Sequence, residues 1–150
     1  MPEQEADVLE LLARHELAIK DLYQAYARLF AGRAQLWSDI AAEEQRHADW
    51  LGSLQSVATP ATRVWLTRNL KPEAIRQSIA YIEGRKAGAR EGVDLRTALS
   101  VSRDLENALI ERQFARVSNT APAEFVPVLR NLVAESERHR RLFAEALAAL

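Results

Sequence analysis

The sequence predicts an all-α fold, a four-helix bundle of two antiparallel hairpins joined by a long crossover that contains a short helix. Three observations carry that prediction. Apolar residues recur at helical spacing over four long stretches, and no stretch reads as a strand. A connection of roughly 35 residues joins the second long stretch to the third, which favours one long crossover over a simple up-down-up-down chain.

The first helix runs from about Glu3 to Ala31, with Val8, Leu12, Ile19, Leu22, Tyr26 and Leu29 on its inner stripe and Leu9, Tyr23 and Phe30 beside it. Gly32 permits a break. Trp37, Ile40, Leu51 and Leu54 then define a second helix that ends near the turn-prone SVATPAT stretch. Pro72 stands where the first turn of a helix tolerates proline, and Ile75, Ile79 and Ile82 continue a shorter helix that stops around Gly84 to Gly92. Leu95, Leu99 and Leu109 mark a third long helix. Phe125, Leu129, Leu132, Phe143 and Leu150 mark the fourth, with SNTAP as the turn before it and Pro122 opening it. Val64, Trp65 and Leu66 in the connection need cover, either on the bundle flank or in a subunit contact.

A length of 150 residues is read as one domain, 1–150. Hydrophobic residues make up 48% and charged residues 27%, with a net charge of −1, so neither disorder nor a general attraction to nucleic acid is expected. The absence of cysteine excludes disulfides, thiolate metal sites and cysteine-held iron–sulfur centres within the chain. MPEQEADVLE is acidic where a secretory signal is basic and then apolar, and no window has the unbroken apolar run of a membrane span. A cytoplasmic protein with no membrane or nucleic-acid partner is expected.

The inner stripes carry polar groups where a plain bundle would have leucine. On the second helix the stripe runs Trp37, Ile40, Glu44, His47, Leu51, Leu54, so Glu44 and His47 face inward within one turn. The fourth runs Phe125, Leu129, Leu132, Ser136, His139, Phe143, Ala146. Glu16 lies in register with Leu9, Tyr23 and Phe30, and Glu106 falls between Leu99 or Ser102 and Leu109 or Gln113. The two halves echo each other, because Glu16 precedes Glu44 by 28 positions and Glu106 precedes Ser136 by 30.

Each buried ion without a partner costs several kcal/mol, and three converging glutamates repel one another besides. The core stripes offer no Arg or Lys at that level. A pair of divalent cations is the economical compensation: carboxylates neutralise and bridge hard cations, and two imidazoles add nitrogen donors suited to iron, manganese or zinc.

With these residues in view, the chain resembles the ferritin-like superfamily, most closely its rubrerythrin-like branch, over essentially its whole length. That template takes one Glu from each of two helices and Glu-x-x-His from each of the other two. Glu16 and Glu106 match the single glutamates, Glu44 and His47 one Glu-x-x-His, and Ser136 and His139 the second, without its carboxylate. The resemblance implies two transition-metal ions, iron first, on Glu16, Glu44, His47, Glu106 and His139. It further implies redox chemistry with peroxide or dioxygen, or ferrous iron oxidation. A rubredoxin-type cysteine domain is absent, so electrons would come from an external donor. A homodimer is the expected assembly.

Three readings stand for Ser136: a catalytic residue at an open coordination position, hydrogen-bonding a bound oxygen species; the mark of a site reduced to one metal; or a relic in a metal-free bundle. Glu135 leaning inward is the alternative source of a fourth carboxylate. His15 is set aside as a hydrogen-bonded core histidine; Tyr23 and Tyr26 can reach the site as hydrogen-bond donors, but core is the expected role. The run Glu137, Arg138, Arg140, Arg141 reads as a solvated face. The rival function is a non-enzymatic helical bundle with a degenerate metal site, serving as an interaction module.

Overall fold

A computed structural model describes residues 7–108 and 120–150 of the chain. Among them the protein is helical, with no strand. The α-helices are α1 (Val8–Leu29), α2 (Ala34–Val57), α3 (Pro60–Asn69), α4 (Pro72–Ala89), α5 (Leu95–Glu106) and α6 (Val126–Ala148).

Local chemistry sets most of the boundaries. The Asp7 carboxylate accepts from the Glu10 N–H at 3.2 Å and caps α1. The helix ends where the Phe30 N–H reaches the Tyr26 carbonyl, and the short 3-10 turn Ala31–Arg33 holds Gly32 at the expected break. Only these few residues join α1 to α2, and the two helices pack along their lengths. Asp94 caps α5 by accepting from the Thr97 N–H at 2.7 Å. Between α4 and α5, Gly92 takes φ +111°, a left-handed conformation that suits glycine.

Two expectations need correction. The connection holds two helices rather than one short one. The TPAT segment, read as a turn, is a helix start: Thr59 accepts from the Thr62 N–H at 3.2 Å, and Pro60 sits in the first turn of α3. The fourth helix begins at Val126 with Pro127 in its first turn, whereas Pro122 only makes a turn, its carbonyl accepting from the N–H groups of Phe125 and Val126. The expected starts at Glu3 and the continuation through Leu109 lie outside the described residues.

The connection packs down. Leu66 is buried, and Trp65 sets its ring against Phe125 at 5.8 Å and donates its indole N–H to Thr120 Oγ1 at 3.1 Å, whereas Val64 stays exposed. Helix α4 lies against α1, α5 against α6, and α2 also meets α6.

The apolar interior falls into two blocks. One is built around Leu22, Tyr26, Trp37, Ile40, Leu99 and Phe143. The other is built around Leu9, Leu12, Leu51, Leu70, Phe125 and Leu129. Along α1, α2 and α6 the buried polar residues between the two blocks are His15 and Glu16, Glu44 and His47, and Ser136 and His139. A polar layer therefore lies across the middle of the core. Among the described residues no helix is long and apolar enough to cross a membrane.

Candidate metal centre

Four helices each deliver a carboxylate or imidazole to this layer. Glu16 comes from α1, Glu44 and His47 from α2, Glu106 from the end of α5 and His139 from α6, and all five side chains are buried. They assemble into two groups of potential ligands, Glu16 with Glu44 and His47, and Glu44 with Glu106 and His139. These buried groups can hold a metal ion, and Glu44 belongs to both.

The contact lengths distinguish the inner and outer sides of each imidazole. Facing inward, His47 Nδ1 lies 3.5 Å from Glu44 Oε2 and 3.8 Å from Glu16 Oε2. His139 Nδ1 lies 3.2 Å from Glu44 Oε1 and 3.4 Å from Glu106 Oε1. Facing outward, His47 Nε2 is 2.9 Å from Glu135 Oε1 and His139 Nε2 is 3.1 Å from Glu43 Oε1. Charge-assisted hydrogen bonds run at about 2.7–2.9 Å. Donor atoms about 2.0–2.2 Å from a shared cation stand roughly 3.0–3.5 Å from one another. The outer contacts, at 2.9 and 3.1 Å, are the shorter ones, and the inner ones, at 3.2 to 3.8 Å, include one hydrogen bond, from His139 to Glu106. Glu44 turns one oxygen to each imidazole, as a bridging carboxylate does.

The unpartnered atoms fall in the same place. Among the described residues Glu16 Oε2, Glu44 Oε1, His47 Nδ1 and Ser136 Oγ are buried without a hydrogen-bond partner. Leaving such groups unmet costs about 1–3 kcal/mol each, more when charged. Three of the four belong to atoms that the donor set turns inward.

Metal-free, the layer balances its charge with protons. Burial pushes the Glu16 carboxyl up, the neighbouring Glu44 charge adds to it, and its pKa rises to about 8. Burial acts to depress both imidazoles, but the glutamates override it: Glu16 and Glu44 lift His47 to about 11, and Glu106 and Glu44 lift His139 to about 10. For Glu44, burial and the Glu106 charge act upward, and the adjoining Glu16, His139 and His47 side chains reverse this and hold it below the ordinary value. Three protons thus sit where cations would replace them.

An outer ring closes the layer. Arg46 meets Glu135 at 2.8 Å, and Arg138 pairs with Glu43. The arrangement is crosswise: the carboxylate of one helix holds both the imidazole and the arginine of the other. Glu43, Glu135 and His139 form a third cluster of potential ligands, but Arg46 and Arg138 already supply its positive charge. Glu135 thus meets Arg46 and the outer nitrogen of His47, and Arg138 is not simply part of a solvated face, although the Glu137–Arg140 pair beside it is intrahelical. The sequence reading missed Glu43, Arg46 and Arg138. The signal was the repeat Glu-Glu-x-Arg-His at 43–47 and Glu-Ser-x-Arg-His at 135–139.

The remaining residues resolve plainly. Tyr23 takes the alternative role, its hydroxyl donating to Glu106 Oε2 at 2.6 Å; burial first, and then the Glu106 and Glu44 charges, hold the phenol well above its usual range. Tyr26 packs on Trp37 with ring centroids 5.4 Å apart, as core. His15 hydrogen-bonds Ser78 Oγ at 2.8 Å and burial holds it below the usual histidine value, so it stays outside the centre. Ser136 is buried one turn before His139 on α6.

No protein-family profile, curated protein or solved structure matches the chain.

Proposed function

We propose that the chain is a rubrerythrin-like dimetal protein of the ferritin-like class, with a di-iron centre that works in redox chemistry with peroxide or dioxygen or in the oxidation of ferrous iron. The observation that carries this reading is the division of Glu44 between two imidazoles from different helices in one buried layer, with inward-facing atoms left unpartnered. The frame is a four-helix bundle of α1, α2, α5 and α6, with α3 and α4 as the crossover.

Bound iron would supply a reversible change of oxidation state and an open coordination position. The chain's own residues do the rest. Glu16, Glu44 and His47 would hold one ion, and Glu44, Glu106 and His139 the other. Glu135 and Glu43 hold the two Nε2 atoms, which keeps the Nδ1 lone pairs directed inward. Tyr23 engages one oxygen of Glu106 and leaves the other beside His139. The two apolar blocks exclude water. With no cysteine in the chain, electrons reach the centre from an external donor.

The rival reading, a metal-free bundle serving as an interaction module, draws on the pairing of both imidazoles with carboxylates. The orphaned inner atoms count against it. Anaerobic loading with ferrous iron, followed by metal analysis and then peroxide addition, tests the proposal. Two irons per chain that oxidise on peroxide addition are expected. Protein that retains no transition metal overturns the dimetal reading and leaves the interaction module.

A further inference from the structure

Ser136 occupies the position that corresponds, in the repeated Glu-[Glu/Ser]-x-Arg-His pattern, to the bridging Glu44. Both stand three residues before a buried histidine and share its helix face. The substitution leaves a specific deficit. Glu16, Glu44 and Glu106 bring three negative charges against the four positive charges of two divalent ions, so a loaded centre carries an uncompensated positive charge in a dry interior.

The serine does not repair itself locally. Ser102, the comparable buried serine on α5, accepts from the Trp37 indole N–H at 3.0 Å and donates to the Ala98 carbonyl at 2.8 Å. Ser136 Oγ has no partner among the described residues. The neighbouring acids cannot serve, because Glu135 and Glu43 are engaged by the Nε2 atoms and by Arg46 and Arg138.

We infer that Ser136 marks a binding position for a small exogenous carboxylate, a one- or two-carbon acid anion, which takes the place of the missing fourth glutamate one turn before His139. One oxygen of that anion accepts the Ser136 hydroxyl proton in a hydrogen bond, and the charge of the centre is closed. The chain thereby exchanges a fixed ligand for a removable one, and the class of molecule that fits is set by the side chain it replaces. This inference rests on the dimetal reading.

The test uses the full chain loaded with cobalt(II), whose visible spectrum reports changes in coordination, titrated with sodium acetate and sodium formate, with sodium chloride as the control anion. Metal content is measured on the same samples. Wild-type protein is expected to hold two metals and to show a saturable response to acetate or formate, at one anion per chain, that chloride does not produce. S136E should keep two metals and lose the response. S136A, which preserves shape, should bind acetate about tenfold more weakly through loss of one hydrogen bond to a charged group. Two metals with no carboxylate response in the wild type overturn this inference and leave the dimetal reading intact, as does an undiminished response in S136E or S136A or an equal response to chloride. Protein that takes up no metal overturns both.

Discussion

The segments 43–47 and 135–139 are built alike and differ in one consequential place. Each supplies a glutamate that crosses to the other helix, an arginine that does the same, and a histidine whose Nδ1 faces the centre. In the second position α2 has Glu44, which reaches both imidazoles, and α6 has Ser136, whose hydroxyl has no hydrogen-bond partner among the described residues. The common positions therefore orient the imidazoles, and the differing one decides how many carboxylates the interior must neutralise. The comparison separates ligand geometry from charge balance within one molecule.

The most severe way to break the comparison is Glu44→Ala. Because both ligand groups contain this residue, metal content measured after anaerobic loading should fall from two ions to none. Retention of both ions would show that the bridge is not shared. Next in size is the crosswise pair Glu135→Ala and Glu43→Ala. Loss of an outer partner to a liganding imidazole costs about 10–100-fold in metal affinity. Glu135→Ala should weaken the ion at His47, on the opposite helix, and Glu43→Ala the ion at His139. Chelator competition gives the size of the effect, and the shifted imidazole proton resonances of cobalt-loaded protein tell which histidine is affected.

A pH series sharpens the same picture without mutation. Glu16 rises from 4.5 to about 8, His47 from 6.5 to about 11 and His139 from 6.5 to about 10. Each group binds its proton more tightly folded than unfolded. The stability each contributes is complete below its ordinary value and is lost as the pH climbs through the folded one. Metal-free protein should lose stability steadily between pH 7 and 10 in chemical denaturation. Loaded protein should gain affinity for its ions over the same range, because protons compete for the same atoms. The smallest effects belong to Arg46→Ala and Arg138→Ala. Their side chains are 49% and 44% exposed, so each change should cost about 0.2–1 kcal/mol by thermal or chemical unfolding, and less at high salt.

The long helices and the inward placement of five polar residues were legible because they obey one rule: a side chain at helical spacing on an apolar stripe faces the core. Glu16, Glu44, His47, Glu106 and His139 stand on such stripes, and all are buried. Helix α3 escaped because ATRVWLTRN interleaves Thr, Arg and Asn with few apolar residues, and because a proline that opens a helix looks the same as one that ends a turn. Glu43 and Glu135 escaped for a different reason. They stand next to the stripe rather than on it, and their role depends on a partner helix whose placement periodicity does not supply. Tyr23 sits on the stripe, but only the approach of α5 distinguishes a phenol that fills space from one that holds a carboxylate.

The polar layer also divides the hydrocarbon of the protein into two compartments, with Phe143 and Trp37 on one side and Phe125 and Leu129 on the other. Jigsaw packing transmits strain between side chains that touch, and these two sets do not share a cluster. Truncating Phe143 and Leu129 together should therefore cost the sum of the separate losses, within about 0.5 kcal/mol. Either end of the molecule is then free to change shape while the polar layer in the middle keeps its dimensions.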